Sequence, residues 1–434
     1  MRSTRRSLAA RLTAAGAGLV LLLPAAACSA GDDDTGAARV EVFTWWAEGG
    51  EKAGLDALVS RFTADCPGQQ FTDGVVAGGA GINAKQVLTA RLAQDDPPDT
   101  FQVHAGAELT EHIDAGQVQD LTAEYDTWGL RQALPEGLVD DLTVNGKIYS
   151  VPANVHRANV VWINPQVLSD AGIHTTPKTI TAFLRDLEKL RKSGIESPLA
   201  LGRDWTQLML LEAVLISKLG AEKFSGLFSG ETSWSSSAVS AGVRDFAKLV
   251  SYSNADRDSM DWPDAERLLI DGKAGYQVMG DWEAADLEAK GFKAYDWFTF
   301  PGNGDVFQWL ADSFVLAEGA PNPDGTKCWL KTVASAEGQG VFNAAKGSIP
   351  ARTDAAGTGS ASTAGFSSYQ QSAMEDWKTA TPVPSCAHGS ACSQAWQNAV
   401  NSALSAYSTT HQNATTLHKA LVAAATQFIK QERE

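Results

Sequence analysis

The sequence predicts an α/β protein of two domains, and three observations carry this. Short runs rich in Val, Phe and Trp are followed by amphipathic helical runs, which implies a sheet with much parallel pairing. The chain has 434 residues; with a leader of about 30 set aside, about 400 remain, more than one core usually serves. The hydrophobic share is 44% and the charged share 20%, while the 39 Gly and 16 Pro follow no period. That composition is globular and argues against collagen, solenoids and propellers.

Arg39 to Trp46 alternates and reads as the first strand. Glu48 to Ala64 is helical, with Leu55, Leu58, Val59 and Phe62 on one face. Phe71 to Val76 is a second strand. Gly78-Gly79-Ala80-Gly81 is a loop, after which Asn83 is expected to cap a helix to Ala93. Asp95-Asp96-Pro97-Pro98-Asp99 stops that helix, and Thr100 to Val103 is a short buried strand. Asn145-Gly146-Lys147 marks a hairpin turn. Pro152 to Ile163 runs extended and is long enough to leave one domain and enter another. Thr179 to Ser193 and Trp205 to Leu219 are helices. Asp264 to Ile270, Gly272-Lys273 and Gly275 to Gly280 read as helix, turn and strand. Val306 to Leu316 is extended, and Thr326 to Lys346 is helical, ending at Gly347. Residues 354–368 are loop-like; Gln371 to Thr379, Ser393 to Tyr407 and Thr415 to Gln431 are helical.

The formal charge is 35 − 51 = −16. The first 27 residues hold Arg2, Arg5, Arg6 and Arg11 and no acid, so the remainder carries −20. A surface that negative repels phosphate backbones, so no nucleic-acid partner is expected. Residues 1–27 read as a signal peptide: a basic start, then an apolar run from Leu12 to Leu23 too short for a comfortable span. Pro24-Ala25-Ala26-Ala27 before Cys28 resembles a bacterial lipobox, which implies acylation at Cys28. Residues 28–38 are then a short acidic tether. Thr4-Arg5-Arg6-Ser7-Leu8 also resembles a twin-arginine signal, so two export routes stay open.

Export implies an oxidising compartment. Cys66, Cys328, Cys386 and Cys392 allow three pairings. The small loop between Cys386 and Cys392 favours that pair, leaving Cys66 with Cys328. No CxxC occurs, which gives a redox or zinc motif no support.

No GxSxG, HExxH or P-loop is present, and no two of the seven His have metal-ligand spacing. No catalytic residue, metal or cofactor is therefore expected. Gly78 to Gly81 lacks phosphate-loop spacing and reads as a tight strand-to-helix connection. Trp45 and Trp46 end the first strand, at the edge where α/β sheets bind ligands. Adjacent residues point to opposite faces, so one core and one half-buried indole is the plain alternative to a binding surface. Gln102 and His104 share one side of the strand at Thr100, as polar tips suited to hydroxyl groups. Trp282, in Met279-Gly280-Asp281-Trp282, ends another strand and is placed to stack on a ligand.

Together these segments resemble the extracellular solute-binding proteins of carbohydrate ABC transporters, from about Val40 to the C-terminus. The resemblance is nearest to the glucose-binding branch. It rests on Trp45-Trp46-Ala47-Glu48-Gly49-Gly50-Glu51, Gln102-Val103-His104, Val151-Pro152-Ala153-Asn154-Val155-His156-Arg157, Trp205-Thr206-Gln207, Gly280-Asp281-Trp282, Asp312-Ser313-Phe314 and Lys346-Gly347-Ser348. It implies a two-lobe periplasmic-binding-protein-like α/β fold with three hinge crossings, near Pro152 to His156, Gln308 to Ala311 and Gly347 to Pro350. The lobes would be 39–152 plus 311–348, and 153–310 plus 349–434.

The same resemblance puts Trp45, Trp46, Glu51, Gln102 and His104 at a sugar, with Trp282 stacking from the second lobe. Asp312 and Lys346 would accept from and donate to hydroxyls. His388 matches a His-Gly segment of the branch, and Trp205 and His156 are weaker candidates. The implied ligand is a monosaccharide, glucose or a related hexose, and the implied partners are permease subunits. The implied state is a monomer, lipid-anchored on the outer face of the cell membrane. An oligosaccharide binder, a secreted glycan-degrading enzyme and a sugar sensor are the rival readings.

Overall fold

The computed structural model describes residues 38–78, 81–355, 365–410 and 412–431. The leader 1–27, the acylation candidate Cys28, the tether up to residue 37 and Gly79-Ala80 lie outside these residues. Among the described residues no helix is long and apolar enough to cross a membrane.

A five-stranded sheet gathers four strands from residues 38–152 and one from 312–316. Its order is Gln69–Val75, Ala38–Thr44, Thr100–His104, Asp312–Leu316 and Ser150–Pro152. The first three strands are parallel, each linked by a helix over the sheet, as the alternation of patterns predicts. Asp312–Leu316 runs antiparallel beside Thr100–His104, with Asp312 opposite His104 and Phe314 opposite Gln102. That register brings four polar or aromatic residues, far apart in sequence, to one sheet edge.

A four-stranded sheet has the order Asp296–Thr299, Val160–Ile163, Tyr276–Met279 and Leu199–Ala200. A third sheet orders Thr381–Pro384, Val306–Leu310 and His156–Arg157. The chain passes from the first sheet to the third between Pro152 and His156, and back between Leu310 and Asp312. Val155 and Ile349 exchange backbone hydrogen bonds of 2.8 and 3.1 Å beside these passages.

Helix Ile180–Lys192 starts where the spacing predicts, with the Thr179 hydroxyl accepting from the Ala182 N–H at 3.2 Å. Two runs are divided in the structure, and one expectation needs correction. The run Thr326 to Lys346 is two helices, Pro323–Ala334 and Ala336–Lys346. Ser335 adopts ψ 153° and its hydroxyl accepts from the Gly338 N–H, so it caps the second helix instead of continuing the first. Asn83 is not a cap: Gly81, at φ +92°, holds that position, and the Asn83 amide donates back to the Ala77 carbonyl. Val306 to Leu316 is extended as expected, as two strands in different sheets parted at Ala311.

The disulfides Cys66–Cys328 and Cys386–Cys392 are both formed. The first ties the end of helix Gly49–Asp65 to helix Pro323–Ala334 across 262 residues of sequence. Crosslinks that close long loops restrict the unfolded chain most. Replacing Cys66 and Cys328 together by Ser is expected to lower the unfolding free energy by about 2–5 kcal/mol. Urea titration with and without reductant checks this: reductant should cost the wild type a similar amount, and the double variant far less.

Candidate functional site

The strand ends and the passages between the sheets converge on a cavity of about 380 Å³. This is within the range of small-molecule sites. Trp45, Glu51, His104 and Asp312 line it from the five-stranded side. Trp205, Trp282, His388, His156 and Lys346 also line it, as do Trp262, Asp286 and Lys290.

Two predicted site residues do not line it. Trp46 has no exposed surface and packs against Phe342 and Phe314, with ring centroids at 4.7 and 5.4 Å. Both indoles follow the end of strand Ala38–Thr44; Trp46 turns toward helix Ala336–Lys346, and of the two only Trp45 lines the cavity. Gln102 is buried behind the wall, where Thr44 and Asp312 hold it. Both shape the site from beneath: the Lys346 ammonium lies 5.2 Å from the Trp46 ring centroid, and the Gln102 amide donates to Asp312 Oδ1 at 2.9 Å.

Asp312 is the hub of a buried polar network. Its Oδ2 accepts from Asn154 Nδ2 at 2.7 Å and faces Lys346 Nζ at 3.2 Å. Its backbone N–H donates to Asn154 Oδ1 at 2.9 Å. Burial alone would raise its pKa; Lys346, then His156 and His104, overrule that and hold it well below the usual carboxylate range. Lys346 Nζ also donates to His156 Nε2 at 2.8 Å and lies 3.8 Å from Glu51. Burial pushes the Glu51 carboxyl up to about 7 despite Lys346, with the ionised Asp312 adding to the rise. A third of that side chain still meets solvent, so Glu51 is the member of the network free to meet a ligand.

His156 is fixed from its other side, where Nδ1 bonds Asp281 of the Gly-Asp-Trp segment. Sequence reasoning missed this role of Asp281, and that of Asn154, because each acts on a residue more than 100 positions away. It also missed Glu108, although the spacing was legible: four residues after His104 on the next helix, it meets His104 Nδ1 at 2.8 Å. Lys85 pairs with Glu108 at 2.7 Å, and burial notwithstanding, Lys85 and His104 lower that carboxyl to about 2.

Aromatic surfaces supply the remaining wall. Trp282 lies between His156, His388 and Trp205, with centroids at 5.2, 5.3 and 6.4 Å. Opposite them the Trp45 ring is 5.2 Å from His104. Two glycines make room for these indoles. A Cβ on Gly81 would sit 3.0 Å from the Trp45 ring, and one on Gly280 only 2.2 Å from the Trp282 ring.

His388 stands in the loop closed by Cys386–Cys392. Its Nδ1 is 3.0 Å from the Ser385 hydroxyl, which donates to Glu212 Oε2 at 2.9 Å. Glu212 is one acid inside the apolar run Leu208 to Ile216, an oddity that the sequence displayed without a partner to explain it. Burial pushes its carboxyl up to about 7, against the pull of the Cys386 N–H and Ser385. A carboxyl raised on folding binds its proton more tightly in the native state. Its stability contribution is therefore full below about pH 4.5 and is lost as pH rises through about 7. Glu212→Gln is expected to flatten the fall of stability with pH across that window, as read from denaturation midpoints at successive pH values.

The arrangement can hold a neutral, hydroxyl-rich ring: indoles for its apolar faces, carboxylates and an ammonium for its edge. The sequence pattern of the bacterial extracellular solute-binding protein family matches residues 46–340. An uncharacterized ABC transporter extracellular-binding protein of Pyrococcus horikoshii is 34% identical over 86% of this chain and 84% of its own. The glucose-binding protein of Saccharolobus solfataricus is 26% identical over 56% of this chain and 46% of its own. Among solved structures, a chitin oligosaccharide binding protein superposes with a TM-score of 0.78, covering 91% of this chain and 99% of that one at 20% identity.

Proposed function

Since the chain belongs to the bacterial extracellular solute-binding proteins, we propose that it is the sugar-receiving subunit of an ABC importer. In this reading it binds one monosaccharide, glucose or a related hexose, and passes it to the permease without chemistry. The observation that carries the reading is the cavity itself: Glu51, Asp312 and Lys346 edge a small chamber walled by Trp45, Trp205 and Trp282. A pyranose has this pattern, with apolar C–H faces and a rim of hydroxyls that both donate and accept. Micromolar capture needs about −8 kcal/mol, and charge-assisted hydrogen bonds of about 1.5–3 kcal/mol net each supply it with stacking.

The lobes 39–152 plus 311–348 and 153–310 plus 349–434 would close over the sugar about the crossings at Pro152 to His156, Gln308 to Ala311 and Gly347 to Pro350. Acylation at Cys28 would tether a monomer to the outer face of the membrane. A second reading, an oligosaccharide, draws support from Trp262 and Lys290, which add a further aromatic and charged surface to the cavity lining. Calorimetric titration with glucose, xylose, maltose and cellobiose separates the two. Tight binding of the monosaccharides alone supports the first, and tight binding of the disaccharides alone supports the second.

A further inference from the structure

Among the described residues, two polar atoms of side chains that line the cavity are buried and have no partner: the Nε1–H of Trp205 and the Nε2 of His388. Their rings are edge-on to each other, with centroids 5.9 Å apart, and both line the cavity. An indole N–H can only donate. What His388 Nε2 does depends on where its ring carries the proton, and that is set on the far side of the ring.

There the chain of partners runs inward to Glu212. Glu212 Oε1 accepts from the Cys386 N–H at 2.6 Å. Glu212 Oε2 accepts from the Ser385 hydroxyl at 2.9 Å and from the Ala387 N–H at 3.4 Å. A hydroxyl whose proton is committed to a carboxylate has only lone pairs left for its other neighbour. That neighbour is His388 Nδ1 at 3.0 Å, so Nδ1 must bring the proton. The imidazole is also held neutral: burial, then His104, His156 and Lys85, push its pKa well below the ordinary histidine value, with Asp312 opposing.

We propose that Glu212, through Ser385, is a positioning residue that locks His388 as the Nδ1–H tautomer, so that its Nε2 lone pair and the Trp205 N–H together receive one ligand hydroxyl. A hydroxyl is the group that donates to one of these atoms and accepts from the other. The relay makes this corner of the site selective for a free O–H over an ether or a deoxy carbon, since either substitute leaves at least one buried polar atom unpaired. The inference rests on the sugar-binding reading for the ligand, but the tautomer belongs to the protein alone.

The two parts are tested separately on the intact exported chain. Nitrogen NMR of histidine-labelled protein at pH 8 without sugar reads the tautomer, with the His388 signals identified by their loss in His388→Phe. Wild type is expected to show Nδ1–H. In Glu212→Gln the amide oxygen must take the Cys386 N–H, so the amide NH₂ faces Ser385. Ser385 then donates to Nδ1, and His388 is expected to switch to Nε2–H. Calorimetry with D-glucose at that pH is expected to show at least tenfold weaker binding in Glu212→Gln, with a cooperative melting transition showing that the variant is folded. Should Glu212→Gln fail to fold, Ser385→Ala is read in the same way, with loss of the Nδ1–H preference and a similar loss of affinity. An Nε2–H signal in wild type overturns the proposal, as do variants that keep the wild-type tautomer or bind glucose within threefold of wild type. A wild type that shows Nδ1–H but binds no glucose contradicts the sugar reading and the hydroxyl assignment, and leaves the relay standing.

Discussion

Lys346→Met is expected to abolish saccharide binding and to lower the unfolding free energy by about 3–5 kcal/mol. Lys346 is 2% exposed and is the ammonium that Asp312 and Glu51 share. Removing it leaves a deeply buried Asp312 carboxylate without its strongest opposing charge, and lets Glu51 rise further above its present value of about 7. Breaking one partner of a buried network costs much more than the network is worth against an apolar replacement, because the remaining charge has no water to turn to. In the proposed reading binding suffers separately, since Lys346 would be a donor to sugar hydroxyls, and His156 Nε2 also loses a 2.8 Å contact. Chemical denaturation and glucose calorimetry on the same preparation keep the two effects apart. A destabilised variant that binds glucose normally would make Lys346 a structural residue only.

Trp282→Ala is expected to weaken sugar binding by about 2 kcal/mol or more, roughly 30-fold, with a smaller effect on stability. The indole begins helix Trp282–Ala289 at the end of strand Tyr276–Met279, and it is only partly buried. Its partners are the rings of His156, His388 and Trp205, all members of the cavity wall. Gly280→Ala gives an independent check, since the added methyl group would sit 2.2 Å from the Trp282 ring and must displace it. Both variants should lose affinity for glucose by calorimetry. A normal affinity in both would remove Trp282 from the site.

The alternation of strands and helices was legible because it is written in local periodicity, and the first three parallel strands follow it. What local patterns do not show is where a run breaks for a reason outside it. Ser335 ends one helix and caps the next within a stretch that reads as continuous, and Ala311 parts two strands that read as one. Of the cavity residues, Trp45, His104 and Trp282 were legible from their places at strand ends, and Glu51, Trp205, Asp312, Lys346 and His388 through resemblance to a family, while their second layer was not. Asn154, Asp281 and Glu212 act through folded neighbours 158, 125 and 173 positions away. Glu108 is the exception, four residues from His104. Trp46 shows the limit of a motif: the paired indoles are adjacent in sequence just past strand Ala38–Thr44, yet one lines the cavity and the other is buried in the core.

The central claim, that this chamber receives a monosaccharide, is tested most directly by tryptophan-fluorescence titration of residues 38–434 against glucose, galactose, mannose, xylose, maltose and cellobiose. Trp45, Trp205 and Trp282 line the chamber, so a bound ring must change their emission. The account predicts a saturable change at micromolar glucose or a related hexose, lost in Trp282→Ala and in Lys346→Met. A response to the disaccharides alone, or silence across the panel with calorimetry in agreement, would contradict it.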